Sequence, residues 1–172
     1  MEDYVKVLLY AYPILETIDK EYAVHISNRA LLSYRSAKST EQTVEYIAKE
    51  IICKQRLGWL RKLLDKTVEK LNDEERALAV IRYFCPCKNR KKNALQKGNA
   101  TIFEEIATWS DGKYFRRQKK LAEKICALLQ NAGFSKELYE RDFAFIDVIQ
   151  SIARFVERGG DNDWTEKERK NL

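Results

Sequence analysis

Between Lys113 and Lys124 the chain carries Lys113, Arg116, Arg117, Lys120 and Lys124, with Lys119 beside them. At ~100° per residue, these steps bring the five named side chains to one side of a helix and leave Tyr114, Leu121, Ile125 and Leu128 on the other. A row of cations on a rigid element suits a polyanion: a guanidinium can bond a guanine edge twice, whereas an ammonium holds a phosphate as a point charge. Arg116 and Arg117 are therefore the candidates for base edges in double-stranded DNA, and Lys113, Lys120 and Lys124 for phosphates. A second basic cluster, Lys88, Arg90, Lys91 and Lys92, precedes them in a stretch rich in asparagine and closed by Gly98, which reads as an exposed loop able to add phosphate contacts.

The charge is local. From Lys88 to Lys124 eleven cations face four anions, while the whole chain is only +6, so the remainder is slightly negative. A confined footprint of this kind argues for a defined electrostatic surface more than for uniform solvation.

Other chemistry finds less support. Cys53, Cys85, Cys87 and Cys126 with His25 do not have the ligand spacing of a zinc site: Cys85-Pro86-Cys87 has one intervening residue, and Cys53 and Cys126 fall in apolar helical patterns, where a free thiol packs as a small hydrophobe. His25 reads as a solvated or helix-end imidazole. Glu104 and Glu105 are adjacent, so on a helix they diverge and cannot converge on one ion. With no glycine-rich phosphate loop and no nucleophile paired with a base, the expectation is a binding protein, not an enzyme, with no cofactor. No run approaches a membrane span and no leader pattern opens the chain, so the expected location is cytoplasmic, with no membrane partner.

The elements that would carry these residues are helices. With six glycines and two prolines in 172 residues, punctuation is sparse, and an all-α fold is expected. Val5, Leu8, Leu9, Tyr12, Leu15 and Ile18 give a helix over Glu2 to about Tyr22, with Pro13 kinking or breaking it. A second apolar stretch, Ala30-Leu31-Leu32 with Tyr34, ends in a turn over Ser36 to Thr40. A long pattern follows, through Val44, Ile47, Ile51, Leu57, Leu60, Leu64, Val68 and Leu71. Its length calls for a partner, either the first helix in a hairpin or a second copy in a coiled coil; Lys54 and Gly58 interrupt a clean heptad seam and favour the hairpin.

Asn72 with Glu74 and Glu75 starts a helix that ends before Pro86. The segment Ile102 to Ala107, the turn to Ser110 and the basic helix form a helix-turn-helix pattern, with Ala107 as the small contact between helices and Ser110 as the cap. Asn131-Ala132-Gly133 stops the basic helix. One last helix is expected from about Lys136 to Arg158, with Phe145, Ile146, Ile149, Ile152, Ala153 and Val156 as its apolar stripe. The expected division is a hairpin over 1–70, a helix-turn-helix module over 71–134, a packing helix over 135–158 and a flexible tail over 159–172.

Leu71-Asn72-Asp73-Glu74-Glu75-Arg76, Arg82-Tyr83-Phe84, Phe103-Glu104-Glu105-Ile106-Ala107, Ser110-Asp111-Gly112-Lys113-Tyr114-Phe115-Arg116-Arg117 and Ala122-Glu123-Lys124-Ile125, in that order, resemble the fourth conserved region of major-class bacterial sigma factors and related sigma-like regulators of phages and Gram-positive bacteria. The resemblance covers Leu71 to Leu129. It implies an all-helical module that binds promoter DNA through its second helix and often touches RNA polymerase, and it carries DNA contact onto Lys113, Arg116, Arg117 and Lys120. The turn after Ala107 is shorter than the family's, the loop from Cys85 to Ala100 is longer and more basic, and nothing resembles the region that melts promoters. The function expected is a DNA-binding transcription regulator. The alternative is a helical interaction or assembly protein, of the kind phages use, in which the basic helix is a solvated face and the long rod forms a homodimer.

Overall fold

The computed structural model describes residues 2–32, 40–84 and 100–158, and every regular element among them is helical, so the chain is all-α as its periodicity demands. In order these are α1 (Asp3–Ala11), a 3-10 turn (Tyr12–Ile14), α2 (Leu15–Leu32), α3 (Thr40–Glu69), α4 (Asp73–Ala79) running into a π turn (Val80–Phe84), α5 (Ala100–Ala107), α6 (Asp111–Asn131), α7 (Lys136–Asp142) and α8 (Asp147–Glu157). Pro13 sits in the 3-10 turn, where its missing N–H interrupts the helix ladder for one turn before α2 resumes. No helix among the described residues is long and apolar enough to cross a membrane. The tail after Arg158 lies outside the described residues.

The 30 residues of α3 fold back on α2 as an antiparallel hairpin. Cross-links read off the register: Tyr12 donates to Asp65 at 2.7 Å, Glu16 pairs with Arg61 at 3.2 Å, Asp19 with Lys54 at 3.7 Å, and the His25 imidazole lies 3.0 Å from the Tyr46 hydroxyl. His25 thus sits mid-helix and partly exposed beside a tyrosine, not at a helix end. Burial divides the hairpin in two. Leu15, Ile18, Leu57, Leu60 and Leu64 are in the core, whereas beyond Tyr22 on α2 and before Leu57 on α3 no described side chain is fully buried.

Residues from the three helical segments expected, 1–70, 71–134 and 135–158, share one hydrophobic core, from Tyr4 to Val156. Helix α1 contributes Val5, Leu8 and Leu9 and packs on α8, which presents Ile149 and Val156. Cys53 and Cys126 are half-buried free thiols against this core, in keeping with their apolar contexts, and burial pushes the Cys53 thiol up. Helix α6 ends in a Schellman motif: Gly133, at φ 80°, donates to Gln130, and Phe134 donates to Leu129, both at 2.9 Å, with the Phe134 and Leu129 side chains fully buried. Phe134 then stacks with Trp59 at 6.0 Å and meets the tilted ring of Phe143 at 5.6 Å.

That aromatic cluster explains a departure from the sequence reading. The single helix expected from Lys136 to Arg158 is two helices, broken over Phe143 to Ile146. Arg56 bonds the Asp142 carbonyl at 3.3 Å and its carboxylate at 3.0 Å, taking the acceptor that a continuing helix would use. Phe143 turns into the cluster and Ile146 is buried in an extended conformation, so Phe145, placed by periodicity in the apolar stripe, is 46 % exposed, with Arg56 over its ring at 5.2 Å.

Candidate nucleic-acid interface

The basic helix is positioned by α4 and α5. Asn72 starts α4 with a full capping box: its Oδ1 accepts from the Glu75 N–H at 2.8 Å and the Glu75 carboxylate accepts from the Asn72 N–H at 2.9 Å. Helices α5 and α6 both pack on α4, and α6 also on α3. Between α5 and α6 the chain turns over Thr108, Trp109 and Ser110. Thr108 and Trp109 close the end of α5 with bonds to Glu105 and Ile106 at 3.1 Å, the Trp109 ring is buried as a plug, and Ser110 caps α6 by accepting the Lys113 N–H at 3.4 Å. The cap is where the sequence places it. The small contact is not: Ala107 is exposed, and α5 is anchored by the larger Phe103 and Ile106. A bulky indole holding the angle accounts for a short turn without a small residue at the crossing.

Helix α6 buries Tyr114, Gln118, Leu121, Ala122, Ile125 and Leu129, with Leu128 half-buried. The remaining surface carries the cations, and its edges differ from its centre. On the edge facing α4, Arg117 Nε is 3.4 Å from Glu74 Oε1 and Lys124 Nζ is ion-paired with Glu75 Oε2. The acids that favour the start of α4 thereby hold the inner edge of the basic strip, so Arg117 and Lys124, read from sequence as outward contacts, fasten α6 to α4. Lys113 is half-buried with its ammonium 4.1 Å above the Trp109 ring. Arg116 is exposed, its Nε bonded at 3.0 Å to the Gly112 carbonyl one turn back, which leaves the rest of the guanidinium fork outward. Lys120 is exposed and has no ion-pair partner among the described residues. Lys88, Arg90, Lys91 and Lys92 lie outside the described residues.

The strip has neighbours that residue spacing alone does not single out. Lys119 is exposed beside Lys120, and the Phe115 ring is 50 % exposed next to Tyr114. Both border a groove of about 720 Å³ between α6 and the start of α1, lined also by Lys6, Arg82 and Gln118. Gln118 is buried, with Nε2 donating to the Leu78 carbonyl at 3.3 Å while its Oε1 has no partner among the described residues. The signal for Phe115 is in the sequence: Tyr114, Gln118, Leu121 and Ile125 complete the buried period and leave an adjacent aromatic outside it.

The surface thus combines a capped helix start, a guanidinium and ammonium groups at the centre that engage no carboxylate among the described residues, and a rim held by Glu74 and Glu75. No family model, curated protein or solved structure matches the chain.

Proposed function

We propose that this protein is a DNA-binding transcription regulator, similar to the fourth region of sigma factors, that lays the outer strip of α6 against duplex DNA. The reading is carried by one observation: at the centre of the strip Arg116 and Lys120 project from a rigid, capped helix without engaging any described acid. Arg116 is the base-edge candidate, Lys120 and Lys113 hold phosphates, and Lys119 extends the same surface. Arg117 and Lys124 position the helix. Contact with RNA polymerase through the same module, and a non-catalytic cytoplasmic role, complete the reading.

The test is duplex binding at several salt concentrations, with selection of sites from a random pool. Lys120→Ala flattens the log–log salt slope by ~0.9, the loss of one phosphate contact, and Arg116→Ala relaxes base preference in the selected sites. Lys124→Ala instead lowers thermal stability and leaves the slope of the folded protein unchanged. No binding at low salt, a slope that Lys120→Ala leaves unchanged, or a base preference that Arg116→Ala leaves unchanged, overturns the proposal.

A second reading, an assembly protein, is favoured by a different observation: Val44, Ile51 and Ile52 on α3 are exposed apolar side chains on a stretch of the hairpin where no described side chain is fully buried.

A further inference from the structure

Among the described residues, the distal half of the hairpin, beyond Tyr22 on α2 and before Leu57 on α3, buries no side chain fully. Large apolar side chains are ordinarily packed against something, and here Val24, Val44, Ile51 and Ile52 stay exposed. On α3, Val44, Ile51 and Gly58 recur at the heptad interval and so share one face; Val44 is 61 % and Ile51 40 % exposed. Ile51 and Gly58 line a groove of about 600 Å³ between the helices, walled on α2 by Ala23 and Ile26. A Cβ on Gly58 would meet nothing within 4 Å, so that position is an empty notch in the face.

We infer that this face is a homodimer surface, on which two copies pack their α3 helices antiparallel about a two-fold axis at Ile51, making a four-helix bundle of the two hairpins. In that arrangement each residue faces the one equally far beyond Ile51 on the second copy. Val44 therefore meets Gly58, a side chain entering a notch, and Ile51 meets itself at the axis. Charge selects the same orientation. Before the axis α3 carries Glu41 and Glu50, with Glu45 and Lys49 paired to each other; after it Lys54, Arg56 and Arg61 are paired with Asp19, Asp142 and Glu16, and Lys62 follows them. Antiparallel pairing brings Glu41 of each helix toward Lys62 of the other, whereas parallel pairing would set Glu41 on Glu41 and Lys62 on Lys62. Glu41 and Lys62, nearly equidistant from Ile51, are exposed and have no ion-pair partner among the described residues, so each is available to the other across the axis, twice by symmetry. The inference rests on the α2–α3 hairpin and is independent of whether α6 binds DNA.

Sedimentation equilibrium of the full chain tests it. The expected result is a closed dimer, with Ile51→Arg weakening self-association by at least ~tenfold because two like charges meet at the axis. Helicity by circular dichroism stays unchanged, since Ile51 is not in the core. Glu41→Lys and Lys62→Glu each weaken the dimer by ~tenfold, and combining them restores it, a rescue that misfolding cannot imitate. A chain that remains monomeric at high concentration, an open-ended assembly, a dimer indifferent to Ile51→Arg, or a charge swap that fails to rescue would each overturn the inference.

Discussion

Replacing Glu75 with alanine removes one carboxylate that joins two helices. It accepts the Asn72 N–H in the capping box of α4 and holds Lys124 of α6. The Asn72 side chain still accepts from the backbone N–H at position 75, so only half the box is lost, about 0.5 kcal/mol. The ion pair is partly solvent-screened, with side chains 39 % and 21 % exposed, so it contributes about 0.5–1 kcal/mol and not the several expected of a dry pair. Loss of an acid from the first turn adds about 0.3–0.5 kcal/mol through the helix dipole. The total is about 1.5–2 kcal/mol, which at ~2–4 °C per kcal/mol for a chain of this size lowers Tm by ~3–8 °C. Thermal unfolding followed by circular dichroism measures it, and a double-mutant cycle with Lys124→Met isolates the pair, with an expected coupling of about 0.5–1 kcal/mol. Glu75→Gln keeps a neutral acceptor and should cost less than alanine. It also releases Lys124 toward solvent, so it should steepen the salt dependence of duplex binding by up to ~0.9. A Glu75→Ala protein melting within ~1 °C of the parent, or a cycle with no coupling, would refute the claim that the rim cations act as fasteners.

Phe134→Ala empties the fully buried centre of the aromatic cluster and should cost about 3–5 kcal/mol in chemical denaturation; Gly133→Ala, at φ 80°, should cost ~1 kcal/mol. Gly58→Ala should stabilise α3 by ~0.5–1 kcal/mol when measured at dilution, because the added methyl meets nothing and the helix gains propensity. Burial, reinforced by the hydrogen bond to Asp65, raises the Tyr12 hydroxyl well above the ordinary tyrosine range. A raised pKa means stability fully present below the unfolded value of ~10 and lost as pH climbs above it; Tyr12→Phe should therefore cost ~1 kcal/mol at neutral pH and lessen the alkaline decline. The bond from Arg141, then the charge of Arg56, holds the Asp142 carboxyl below the usual carboxylate range, so its contribution is present above pH ~4 and fades on further acidification, and Asp142→Asn should blunt that acid loss in a pH series of Tm values.

The all-helical class, the break at Pro13, the Asn72 and Ser110 caps and the Gly133 stop were legible because each depends on neighbours in sequence: a missing N–H, an acceptor ahead of a helix, a residue at positive φ. What sequence could not show was decided by side chains arriving from elsewhere. Periodicity runs smoothly from Lys136 to Arg158, yet Arg56 takes the Asp142 carbonyl and the aromatic cluster draws Phe143 inward, and the helix breaks. In the same way the five cations of α6 share a face, as their spacing requires, but Glu74 and Glu75 approach one edge of it from α4. Spacing gives the face of a helix; it does not say which edge a second helix will occupy.

The uneven burial along the hairpin has a consequence for its motions. Backbone amides near Leu60 and Leu64 can exchange only through openings that expose the core, while those between Lys20 and Ala30, and between Thr40 and Ile52, open by separating a helix pair that buries little. Deuterium uptake should therefore rise in steps along each helix toward the hairpin tip. At higher protein concentration the tip amides should slow while the basal ones keep their rate, because whatever settles on that arm stabilises it by mass action.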